Sequence, residues 1–249
     1  MEDMSTMESP TPSPGEPAPT DHSHPDVNGG WLRPAVFGAM DGLVSNAALI
    51  AGVAGGTRDH TDTSAVVLAG LAGLAAGAFS MAAGEYASVA SQSEAAELEI
   101  ERERQEILDN PEGEQAELAE MMQMRGVDRE TAERAAAQMH GDVDSAVEVH
   151  SLAEFGVTSD DLASPVVAAV SSFISFGVGA LVPLLPYLLG VTVLAPAIVL
   201  TLVALFVCGA VVTRLTTRPW WFGGLRQVAL GGAAFALTYA VGAAVGGTV

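Results

Sequence analysis

Lysine is missing from all 249 residues; the ten basic side chains are arginines, set against 30 aspartates and glutamates for a net charge of −20. So acidic a chain excludes nucleic acid as a partner and favours cations. Cysteine occurs once, at Cys208 within an apolar run, which excludes an internal disulfide and a thiolate metal site. No acidic residue occurs between 164 and 249. Nucleophile elbow, phosphate-binding glycine loop, CxxC pair and HExxH helix are all lacking, so neither an enzyme nor a prosthetic group is expected. Residues 1–30 are polar, rich in Pro and Ser and without an apolar core, which predicts a disordered tail and no cleavable signal peptide.

What is plentiful is apolar surface. Hydrophobic residues make up 49% of the chain, and the mean hydropathy is positive. Acid and oil coexist because they are segregated: twenty Asp and Glu, with five Arg, fall between 91 and 161. Five apolar stretches flank that block, at 34–56, 63–90, 165–190, 191–212 and 221–247. Each is long enough to cross a hydrocarbon core, which takes about 20 helical residues. The pattern predicts an all-α membrane protein of five transmembrane helices. A helical acidic domain, residues 91–163, is inserted between spans two and three; 31–90 hold spans one and two, and 164–249 hold spans three to five. One topology places nine of the ten arginines on a single side, leaving only Arg58 opposite. By the positive-inside rule that side is the cytosol, with the N-terminus and acidic block inside and the C-terminus outside.

Local signals refine this. Gly70, Gly73, Gly77, Ser80 and Gly84 give span two the small-residue spacing that lets helices approach closely. Pro183 and Pro186 predict a kink or break in span three. Within the acidic block, Asn110-Pro111-Glu112 reads as N-cap, first-turn Pro and first-turn acid. Gly126 and Gly141 stand where helices stop, and Asp128 and Asp142 where new ones start. Span two should therefore run on as a helix to about 108, followed by helices near 111–125, 129–139 and 143–155.

Two groups of residues point to chemistry. Asp41 lies eight residues past Arg33, roughly 12 Å deeper along a helix. Met81, ten residues before the end of span two, reaches a comparable depth, and Glu85 is one turn from it. A carboxylate in a span costs at least about 2.5 kcal/mol, so its default reading is functional. Carboxylate and thioether together suit a borderline ion such as Fe²⁺ better than Mg²⁺ or Ca²⁺. The alternative makes Met81 lipid-facing and Glu85 an interfacial residue reaching for water. In the acidic block, Glu99, Glu103 and Glu106 share a helical face, and Glu114 and Glu117 follow the Asn110-Pro111 corner that folds the next helix back. Like charges crowded at this spacing destabilise a helix unless a cation relieves them; a solvated acidic face is the competing reading. His150 and Glu154 present imidazole and carboxylate one turn apart. Met121, Met122 and Met124 read as the apolar face of their helix, and His22 and His24 as tail residues.

The segments RPAVFGAMDGLVSNAALIAGVAGG, GAFSMAAGEYASVASQSEAAELEIERERQEI, NPEGEQAELAE, HSLAEFGV and LVPLLPY occur in that order. Together they resemble the vacuolar iron transporter family, including its bacterial and plant nodulin-like branches, over nearly all of 31–248. The resemblance implies a five-span protomer, a homodimer with the metal path at its interface, and cytosolic helices that collect Fe²⁺ and other divalent ions. It also implies exchange against protons, loading a vacuole in eukaryotes and exporting through the cell membrane in a bacterium. By motif, it assigns Asp41 and Met81 to the pore. Glu103, Glu106, Glu114, Glu117 and Glu154 become cytosolic ligands, with His150 where some members have methionine. Pro34 and Gly73 replace acids that some members carry, while Glu85 supplies one those members lack.

The expectation is thus a transporter exporting Fe²⁺ or Mn²⁺, with Zn²⁺ and Co²⁺ as further cargo, from the cytosol by proton exchange. The alternatives are a membrane-anchored metal sensor or buffer, and a passive divalent-cation channel.

Overall fold

The computed structural model describes residues 30–57, 63–159, 162–213 and 218–246. Most of the tail predicted to be disordered, with His22 and His24, lies outside the described residues, as do Arg58 and Arg214. Among the described residues every regular element is a helix: α1 (Leu32–Gly56), α2 (Ser64–Asp109), α3 (Pro111–Met124), α4 (Arg129–Met139), α5 (Val143–Glu154), α6 (Pro165–Leu188), α7 (Ala195–Val212) and α8 (Trp220–Gly246). Five of them, α1, α2, α6, α7 and α8, are long and apolar enough to cross a membrane.

The element that organises the molecule is α2. Its 46 residues form one unbroken helix, about 70 Å long at 1.5 Å per residue. Its first half is apolar and packs on α1 and α6; its second half is acidic and carries α5 and α3. The corner at its end has the predicted chemistry, since the Asn110 side chain accepts from the Gly113 amide at 3.3 Å. Asp128 and Asp142 cap α4 and α5 in the same way, each accepting a backbone N–H at 3.0 Å. Such caps satisfy amides that a helix start leaves orphaned.

Two apolar clusters hold the inserted helices together. Leu118 and Ala119 of α3 pack against Ala132 and Ala136 of α4, flanked by Met121 and Met122. Ile107 of α2 packs against Ala146 and Val147 of α5. Met121 and Met122 are therefore partly buried against that core, on the apolar face expected of them, whereas Met124 is exposed.

In the apolar half, α1 is the central helix, in contact with α2, α6, α7 and α8. It crosses α6 at near backbone contact. A Cβ on Gly42 would run into the carbonyl oxygen of Phe176, and one on Gly179 into that of Ala39. This crossing brings Phe176 beside Asp41's turn of α1. Helix α6 is not broken by its prolines; it continues through Pro183 and Pro186 to Leu188. One turn before Pro183, Asn46 of α1 donates to the Ala180 carbonyl at 2.6 Å and ties α6 to α1. Of the small residues in span two, Gly70, Gly73 and Gly77 face other helices of the chain, while a Cβ on Gly84 would meet nothing.

Candidate metal sites

The first site lies within the spans. Asp41, Ser45, Asn46 and Leu49 of α1, with Gly73, Gly77, Ser80 and Met81 of α2 and Phe176 of α6, line a cavity of about 240 Å³. Asp41 and Met81 are thus brought to one cavity. Met81 packs beside the Ala78–Phe176–Ala180 cluster, which holds its thioether against a firm wall. Ser45 donates its hydroxyl to the Asp41 carbonyl at 2.6 Å, so it serves the helix backbone.

Asn46 belongs to this cavity too, and was not singled out from the sequence. Its amide nitrogen is committed to Ala180, while its buried Oδ1 has no hydrogen-bond partner. This oxygen lines the same cavity as Asp41 and Met81, where the three could hold a cation together. The available signal was an amide within an apolar run, five residues past Asp41.

Glu85 does not share that cavity. It lines a separate one of about 460 Å³ with Arg33, Val89, Gln92 and Ser93, at the start of α1 and against Gly156, Val157, Leu162 and Ala163.

The second site sits on the acidic half of α2. Glu103 and His150 are fully enclosed, at 3% and 0% exposure. Nδ1 of His150 lies 2.9 Å from Glu103 Oε1 and 3.5 Å from Glu154 Oε1, whose side chain is 26% exposed. One donor atom from each of the three residues falls within 4.8 Å of the others. The imidazole and the Glu103 carboxylate are close but misaligned for a hydrogen bond, and both Glu103 Oε1 and His150 Nδ1 are left without one. Buried polar atoms unpaired in this way are costly, and a divalent cation would satisfy both at once.

The surrounding charge agrees. The Glu103 carboxyl is pushed up to about 7, first by burial and then by repulsion from Glu154, Glu114, Glu106 and Glu117. Glu114 is also raised, by burial and by Glu117, with His150 acting in the opposite direction. Every carboxylate expected as a cytosolic ligand therefore acts on one buried group. Glu114 is half-buried, while Glu106 and Glu117 are exposed on the approach. Glu99, on the same predicted face, is drawn off by Arg102 at 2.6 Å, and Arg104 pairs with Asp144 at 2.7 Å. Among the described residues, no arginine forms an ion pair with Glu103, Glu106, Glu114, Glu117 or Glu154. The negative charge is concentrated there without an arginine to neutralise it.

A second histidine, His140 at the C-cap of α4, touches His150. Burial lowers its basicity, opposed by its hydrogen bond to the Ala136 carbonyl. Spacing alone did not flag it, because only the fold of α4 onto α5 brings it near.

Known proteins carry the same arrangement of segments. The VIT family matches residues 32–243, which include every residue of both sites. The chain is 38% identical to "Vacuolar iron transporter" of Acanthamoeba castellanii, over 86% of this chain and 78% of that protein. It is 30% identical to "Vacuolar iron transporter 1" of Oryza sativa subsp. japonica, over 90% of each. A shorter match of 54% over 76 residues, 30% of this chain and 34% of its relative, is to "Vacuolar iron transporter homolog 4" of the same plant. With a family match from the first span to the last, the chain belongs to the VIT family.

Proposed function

We propose that this protein transports a divalent transition metal, Fe²⁺ or Mn²⁺, out of the cytosol in exchange for protons. Zn²⁺ and Co²⁺ are further cargo of suitable size and softness. The observation that carries the reading is that α2 bears two donor sets. Met81 faces Asp41 among the spans, and Glu103 faces His150 and Glu154 some 22 residues later, about 33 Å along the helix.

The carboxylates on α2 and α3 gather hydrated M²⁺ at the cytosolic end. Glu103, His150 and Glu154 bind it, with Glu106, Glu114 and Glu117 as the acidic approach. Oxygen, nitrogen and carboxylate donors suit a borderline ion. The ion then reaches the cavity where Asp41, Met81 and the Asn46 carbonyl replace part of its water. Protons arriving from the outer side compete for Asp41 and release it. Glu85, in its own cavity with Arg33, stands on the way between the two sites as a relay for cation or proton. No prosthetic group takes part.

The cavity is bounded by only two helices and one phenylalanine, and Ser80 on its rim is exposed. Polar lining open toward lipid is unfavourable, which supports a homodimer whose second copy closes the path. The arginine pattern supports a cytosolic N-terminus and inserted domain, in the cell membrane of a bacterium or a vacuolar membrane of a eukaryote.

Competitive uptake of Fe²⁺, Mn²⁺, Co²⁺ and Zn²⁺ into proteoliposomes, with and without a pH gradient, separates the readings. An exchanger drives uptake with the gradient. A channel gives flux indifferent to it, and a buffer or sensor gives none; either result contradicts the proposal.

A further inference from the structure

A second histidine packs directly on the buried imidazole of the second site. The rings of His140 and His150 meet edge to face, with centroids 5.1 Å apart and 85° between planes. Nδ1 of His140 lies 3.0 Å from the Ala136 carbonyl oxygen. A carbonyl only accepts, so Nδ1 carries the hydrogen and the lone pair of this ring is on Nε2. That Nε2 is buried without a partner, and so is Nε2 of His150.

His150 turns its other nitrogen, Nδ1, toward Glu103 and Glu154. Once Nδ1 is bound to a cation, the ring hydrogen must reside on Nε2. A metal-ligating histidine needs an acceptor for that hydrogen to fix its tautomer and orientation. In this buried place the orphaned Nε2 of His140 is the acceptor at hand. In the edge-to-face arrangement the two Nε2 atoms are not bonded to each other; at a centroid separation of 5.1 Å, a turn of the rings that points both nitrogens inward on metal binding brings them within hydrogen-bond range.

We propose that His140 is the positioning residue of the cytosolic metal site, its Nε2 accepting the Nε2–H of metal-bound His150. A continuous chain then runs from the cation through His150 and His140 to the Ala136 carbonyl of α4. Metal binding on α2 and α5 is thereby coupled to α4, which supplies no ligand itself. This inference rests on the reading of Glu103, His150 and Glu154 as a metal site.

The test uses the full chain in detergent, with Co²⁺ as the probe, read by affinity and by its visible ligand-field bands. His140→Phe keeps an aromatic ring but offers no acceptor. It is expected to weaken Co²⁺ binding by about 10–100-fold and to shift the bands, while His140→Gln, whose Oε1 can accept, restores most of both. In a His150→Ala background His140→Phe should add nothing, since the group it orients is gone. Wild-type affinity and bands in His140→Phe overturn the inference. So does an equal loss in the His150→Ala background, which marks a purely structural role. Should the phenylalanine variant not fold, His140→Asn, too short to reach His150, replaces it with the same expected loss and the same overturning result. A wild-type chain with no Co²⁺ band sensitive to His150→Ala sinks the metal-site reading, and this inference with it.

Discussion

Asp41→Asn is expected to reduce metal flux into proteoliposomes at least about 100-fold. A carboxylate about 4 Å from a divalent ion, at an effective dielectric near 20, contributes several kcal/mol, and each 1.4 kcal/mol of barrier is about tenfold in rate. The substitution keeps the volume of the side chain, so the α1–α6 crossing beside it, set by Gly42 and Gly179, stays intact. Co²⁺ binding at the Glu103–His150–Glu154 site should be unchanged, because Glu103 lies far along α2 from this cavity. Loss of flux with retained binding separates gathering of the ion from its passage. Normal flux would mean that the cavity is not on the route.

The second large effect is a pH dependence centred on Glu103. Its carboxyl sits at about 7 in the fold against an ordinary 4.5. A group raised in this way holds its proton more tightly folded than unfolded. Its contribution to the stability of the metal-free protein is therefore fully present below about pH 4.5 and is lost as pH rises through 7. Binding runs the other way, because the cation needs the deprotonated group. Affinity should climb about tenfold per pH unit up to 7, then level. Glu103→Gln removes the buried charge, so metal-free protein at pH 8 should melt a few degrees higher than wild type while binding Co²⁺ far more weakly and without the rise below pH 7. A variant that melts lower and binds normally would identify Glu103 as a structural residue.

Much of this was legible in the sequence because it is local. The spans follow from run length, and the corners of the inserted helices follow from Asn110, Asp128 and Asp142, whose side chains need only amides three residues away. The meeting of Asp41 and Met81 was also foreseeable, since two antiparallel spans entered from one side place equal offsets at equal depth. What spacing cannot supply is which member of a helical stripe is enclosed. Glu99 and Glu103 are one turn apart, yet Arg102 keeps the first at the surface while α5 buries the second. Met81 and Glu85 are likewise one turn apart, but a four-residue step also rotates about 40° and rises about 6 Å, enough to move Glu85 to another cavity. Asn46 and His140 gain their roles only from partners more than a helix away or on another helix, Ala180 and His150. Of the kink or break that the prolines of α6 predict, the break does not occur, since the helix continues through both.

The most direct test of the route uses a chain with Met81→Cys in a Cys208→Ala background, which has a single thiol at the cavity. After reconstitution, a membrane-impermeant thiol reagent is added, and Fe²⁺ flux is measured before and after. The account predicts that modification stops the flux and that Fe²⁺ present during labelling slows the modification. Unchanged Fe²⁺ flux through fully modified protein would contradict it.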